Sequence, residues 1–174
     1  MESLKIKIVM LFFISSIFIS VYAFSDNKNL FKIERNKNTN IVMYDIILNS
    51  DGQIDTNNRN FIDFYWVLHA KQGQRKKITV FEKSAYGFKT RYNNNGYYEL
   101  ILKAVPDRIM KIIIINKIPK LETEINSRRS YLNTVYVFAN NSSFMPKVLY
   151  YILTGIDIET EKIVTEKIIV KKLK

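Results

Sequence analysis

Apolar and polar residues alternate along most of this chain with a period of two, the pattern of strands that bury one face. The clearest run is Phe61 to Ala70. Ile62, Phe64, Trp66, Leu68 and Ala70 fall on one side of it, and Phe61, Asp63, Tyr65, Val67 and His69 on the other. The first set predicts a core face, while the mixed second set either meets water or lines a barrel interior of some polarity. Phe31, Ile33 and Arg35 alternate with Lys32 and Glu34 in a first strand, and Ile41 to Leu48 forms a second. Further strands are predicted at Phe88 to Tyr92, Tyr97 to Ala104, Leu121 to Asn126, Tyr131 to Ala139, Val148 to Gly155 and Ile163 to Lys171. The isoleucines Ile112 to Ile115 within Met110 to Asn116 predict a central strand buried on both faces.

Turn residues separate these runs: Asn36 to Asn40, Ser50-Asp51-Gly52, Asn93 to Gly96, Pro106-Asp107, Ser127 to Arg129, a polar loop from Asn140 to Pro146, and Asp157 to Lys162. Lys71 to Lys77 reads as a charged turn. Thr79 with Glu82 three residues on forms a capping box, which predicts a helix from Val80 to Tyr86 ended by Gly87 as a left-handed cap. This helix should fold back on the Trp66 strand through Phe81 and Ala85, as a plug or brace. About ten strands and one short helix predict a single, mainly antiparallel all-β domain, a β-barrel or a β-sandwich.

The first 23 residues break the pattern. Lys5 and Lys7, an apolar run from Ile8 to Ile19 and Val21-Tyr22-Ala23 predict a signal peptide over 1–23, a mature domain over 24–174, and a secreted or periplasmic location. The apolar run is short of the roughly 20 residues a spanning helix needs, so no membrane span is expected after cleavage. Loss of Lys5, Lys7 and Glu2 takes the formal charge from +11 to about +10. The charge is spread along the chain, which favours loose attraction to an anionic envelope component. Export makes nucleic acid an unsuitable partner. With no cysteine, the domain has no disulfide to rely on.

One His and no Cys exclude Cys-His and multi-His zinc sites, and a Ser-His-Asp triad could use only His69. The stretch Asn49 to Asp55 echoes a calcium loop, but Ile47 and Asn58 occupy the first and twelfth ligand positions, and ordinary turn chemistry explains the spacing. No metal, cofactor or catalytic residue is therefore assigned. Glu34, Asp45, Asp63 and Glu82 are the carboxylates that a hydrolase acting on envelope polymers would draw on, provided that two of them come within roughly 10 Å. The leading reading is a non-catalytic exported domain that binds a small ligand or envelope component, with Asp63, Tyr65, Val67 and His69 as the candidate ligand-binding residues, and the hydrolase is its alternative.

Phe31-Lys32-Ile33-Glu34-Arg35-Asn36-Lys37-Asn38, Asn40-Ile41-Val42, Tyr44-Asp45, Tyr65-Trp66, and Glu82-Lys83 with Ala85-Tyr86-Gly87 resemble the exported proteins grouped as DUF4833. The run from Pro146-Lys147-Val148 through Thr154-Gly155-Ile156-Asp157 is similar to that family too. The resemblance implies export and a shared fold, and brings no activity, ligand or catalytic residue with it.

Overall fold

The computed structural model describes residues 28–58, 60–140 and 147–170. The predicted signal peptide over 1–23 and Pro146 lie outside the described residues.

Eleven strands carry the described chain: β1 Asn29–Arg35, β2 Asn38–Ile46, β3 Ile62–Leu68, β4 Gln74–Lys77, β5 Phe88–Tyr92, β6 Tyr98–Leu102, β7 Ile109–Ile115, β8 Ile118–Ile125, β9 Arg128–Asn140, β10 Lys147–Asp157 and β11 Ile163–Ile169. The single short helix, α1, is Lys83–Tyr86. The fold is all-β, with every strand pair antiparallel except β1 with β9.

β9 organises the sheet. One of its edges is taken by β10, paired from Asn140 to Ser130. The other edge is shared: β8 pairs with Arg128 to Tyr131, and β1 with Thr134 to Val137. Between these two segments Thr154 and Gly155 oppose Thr134 and Leu132, so Asn133 is an extra residue, a bulge that sharpens the local twist. Two arms, β1-β2-β3-β4 and β8-β7-β6-β5, therefore leave one edge of the same strand. They curl toward each other into a half-barrel whose inner faces meet through aromatic rings. Phe64 of β3 lies 5.2 Å from Phe88 of β5, and Phe61 lies 4.7 Å from Tyr98 of β6.

Between the arms sit Phe31, Ile33, Val42, Tyr44, Leu100, Leu102, Met110, Ile112, Leu121, Leu132 and Leu153, all buried, with Trp66 and Ile62 beside them. Ile62, Phe64, Trp66 and Leu68 of the face predicted for the Trp66 strand thus point into the core, whereas Ala70 is exposed because the strand ends at Leu68 and gives way to a 3-10 turn. Two hairpins turn on pairs of left-handed residues, Asn116-Lys117 and Asn126-Ser127, which is the backbone that a two-residue turn between twisted strands requires.

Three local expectations fail. The charged turn Lys71 to Lys77 contains β4, an exposed edge strand paired to β3 from Tyr65↔Lys77 to Leu68↔Gln74. Its all-polar sequence carries no alternation, and Lys and Arg suit an edge that must not recruit another strand. The isoleucine strand β7 is paired on both sides, but only Met110 and Ile112 are buried. The side chains on its other face stay open, Ile113 half-covered and Ile115 exposed. Gly87 is extended (φ −69°, ψ 165°) rather than left-handed. A side chain there would run into the Lys83 carbonyl and the Lys103 stem, so crowding is what requires glycine.

Candidate functional site

The free outer strands of the two arms, β4 and β5, are joined by the segment from Ile78 to Gly87, so this one connection spans the seam of the half-barrel. The capping box forms at its start: the Thr79 amide donates to Glu82 Oε2 at 2.7 Å, and the Glu82 amide to Thr79 Oγ1 at 3.3 Å. Both arms then hold the segment. Trp66 Nε1 donates to Glu82 Oε1 at 3.0 Å, Tyr44 Oη to the Tyr86 carbonyl at 2.6 Å, and the Lys103 amide to the Gly87 carbonyl at 2.9 Å. The brace is thus real, but its contact with the sheet is made by Tyr86, whose ring meets Trp66 edge-on at 5.1 Å. Phe81 and Ala85 are exposed, Phe81 by 71%. The helix is a single turn, and its C-terminal residue is the one that the arms can reach.

Under this segment lies a pocket of about 370 Å³. Ile33, Trp66, Ala104, Val137 and Val148 form its apolar wall, and Phe81 stands at its rim. Arg35 enters from the end of β1. Its guanidinium lies over the Trp66 ring at 4.8 Å, and its Nη1 donates to Tyr86 Oη at 2.9 Å. Its Nε is buried and has no hydrogen-bond partner among the described residues, an unusual state for a charged donor. Burial raises the Tyr86 phenol above its ordinary value. Arg35 opposes that shift and the Glu82 charge adds to it, so Tyr86 stays protonated. Burial also pushes the Glu82 carboxyl up, but the hydrogen bonds from Thr79 and Trp66 and the charge of Lys76 outweigh it and hold Glu82 below its usual range.

The remaining polar groups of the wall are occupied. Asn36 is paired with the backbone of Ala139, donating through Nδ2 and accepting through Oδ1, both at 2.9 Å. Asn38 Oδ1 accepts from the Asn40 amide, and Ser84 Oγ donates to the Phe81 carbonyl. Lys37, exposed at the turn between β1 and β2, completes the lining.

The residues expected to bind a ligand lie elsewhere, on the other face of β3. Tyr65 is buried, donating to Asp45 Oδ2 at 2.5 Å beneath the Arg75 guanidinium, 4.3 Å from its ring. Val67 is half-covered and Asp63 exposed. His69 falls in a 3-10 turn, His69–Lys71, where its amide is held by Asn40 Oδ1 at 2.9 Å. None of the four lines the pocket. Among the carboxylates, Asp45 and Asp63 are directly opposed across β2 and β3, which puts their Cβ atoms about 5 Å apart. Asp45 is buried, with Asn29 Nδ2 on Oδ1 and Tyr65 and Arg75 on Oδ2. Neither acid lines a cavity. The calcium-like stretch is a turn centred on Asn49, whose Oδ1 accepts from the amides of Asp51 and Gln53. Among the described residues no group of three His, Cys, Asp or Glu could hold a metal ion, and no helix is long and apolar enough to cross a membrane.

A second, broader depression of about 700 Å³ lies on the other arm between the 53–56 loop and Tyr92, Tyr97 and Tyr98. Lys111 lies over the Tyr97 ring at 4.4 Å.

The pocket residue that periodicity could have identified is Arg35. It continues the inward parity of Phe31 and Ile33, so the alternation itself places an arginine on the core face. Tyr86, Val137 and Ala139 carried no such signal, since only the fold brings them together.

A curled all-β half-barrel with a braced seam and one polar-edged apolar pocket defines the class of protein. The family profile of a domain of unknown function, DUF4833, matches residues 31–167, and the chain belongs to that family. No curated protein and no solved structure matches it.

Proposed function

We propose that this domain is an exported, non-catalytic binding protein whose small ligand occupies the pocket beneath the Ile78 to Gly87 segment. The observation that carries the reading is the pocket itself. Interiors are packed with few voids larger than a water molecule, yet here an apolar-walled space of about 370 Å³ is left at the seam, within the size range of small-molecule sites. The leader pattern of residues 1–23 supports export, and the excess of cationic residues supports an anionic envelope component as the source of the ligand. The hydrolase reading has the Asp45 and Asp63 pair in its favour, but that pair sits on an uncavitated surface with the oxygens of Asp45 already engaged.

Titration with Nile red, a neutral apolar dye, tests the reading. The mature domain should bind it saturably with a blue-shifted emission, and Ala104→Trp, which fills the pocket from a half-exposed position, should abolish the signal while leaving the urea melt in place. Equal binding by both proteins, or none by either, overturns it.

A further inference from the structure

Resting on that reading, we infer that the pocket takes a single-chain amphiphile with an anionic oxygen head, its carboxylate or phosphate group seated on Arg35 and its chain along Ile33, Trp66, Val137 and Val148.

The inference comes from a count of donors and acceptors around the wall. The carboxylate and side-chain amide oxygens there are all engaged, Glu82 by Thr79 and Trp66, Asn36 by the Ala139 amide and Asn38 by the Asn40 amide, and the Ser84 hydroxyl is turned to the Phe81 carbonyl. What is spare is donors. Arg35 Nε has no partner among the described residues. Tyr86 Oη accepts from Arg35 Nη1 while its own hydrogen has no acceptor among them. The Lys37 ammonium stands exposed at the mouth. A cationic head would leave the Arg35 donor unpaired and buried, and a neutral hydroxyl would give it only one uncharged acceptor, which offsets less of the cost of burying a charged group. An oxyanion accepts from a guanidinium edge and a phenol together, and such charge-assisted bonds are the strong ones. The Trp66 and Tyr86 rings hold the guanidinium flat in advance, so little freedom is lost when the anion arrives. The rest of the wall is apolar, and Phe81 at the rim offers an apolar lip to the part of the chain that extends out.

Trp66 is the only tryptophan of the chain and lines the pocket, so its fluorescence reports occupancy directly. The mature domain is titrated below micelle formation with dodecanoate, dodecyl phosphate, dodecanol and dodecyltrimethylammonium. Dodecanoate and dodecyl phosphate should bind roughly tenfold to a hundredfold more tightly than dodecanol, and the ammonium more weakly still. The order of the two anions then separates a carboxylate source from a phosphate one. Arg35→Gln should remove the preference while leaving dodecanol affinity near its wild-type value. Because the ranking is measured on the wild type, poor folding of the variant does not spare the proposal. Dodecanol binding as well as dodecanoate overturns the anionic head and leaves the pocket reading standing. Absence of binding by all four overturns both.

Discussion

Removal of the Trp66 side chain is expected to unfasten the seam. Trp66 is 5% exposed, packs on Tyr86, carries Arg35 on its face and donates to Glu82. An indole buries about 200 Å², which at about 25 cal/mol per Å² gives about 5 kcal/mol as an upper bound. Large-to-small replacements of buried aromatics cost about 3 to 5 kcal/mol, so Trp66→Ala should fall in that range. Trp66→Phe keeps most of the ring and deletes the N–H, and the half-covered position of Glu82 limits that loss to about 1 to 2 kcal/mol. Both variants lack the fluorescent reporter, so urea melts are followed by far-ultraviolet circular dichroism, and an unchanged slope shows that the midpoint shift is a stability change. A loss below about 1 kcal/mol in Trp66→Ala, together with ready iodide quenching of wild-type Trp66, would refute the reasoning, because the ring would then be wall paint on an open cleft and not part of the core.

Two further outcomes are expected. Gly155→Ala should destabilise the domain by about 1 to 3 kcal/mol in the same melts, since a Cβ there meets Ile125 Cδ1 at 2.7 Å and the Tyr131 backbone beside the Asn133 bulge. Glu82 has a folded-state value below its ordinary one, so its contribution is fully present above the unfolded carboxylate range and is lost as pH falls through the folded value. Protection of the amides over 79–87 relative to their intrinsic exchange rates should therefore fall toward acid in the wild type and respond less to pH in Glu82→Gln.

The strands could be read from the sequence wherever one face was buried and the other wet. The edge strand β4 was invisible because all four of its residues are exposed and polar, and β7 was misjudged because composition reports β-branching, not what covers a face. The capping box was readable because its partners are three residues apart. The pocket was not. Its wall draws on β1, β3, the seam segment, β9 and β10, and those elements are brought together by the branching at β9, which no local pattern encodes. Asp63, Tyr65 and His69 stood out because their polar groups break an apolar run. The outward face of a strand next to the sheet edge produces the same signal.

The shared edge of β9 also sets the order in which this chain can assemble. Each arm is a meander of strands that are also neighbours in sequence. The joint between the arms is different: Asn36 and Ala139, which clasp each other at the parallel pairing of β1 with β9, are 103 residues apart. Closing so long a loop yields nothing until its ends meet, and chains dominated by such distant contacts fold in milliseconds to seconds. Refolding should accordingly form the hairpins first and the clasp last. Trp66 meets Arg35 within the first arm, so its fluorescence should settle before the clasp closes.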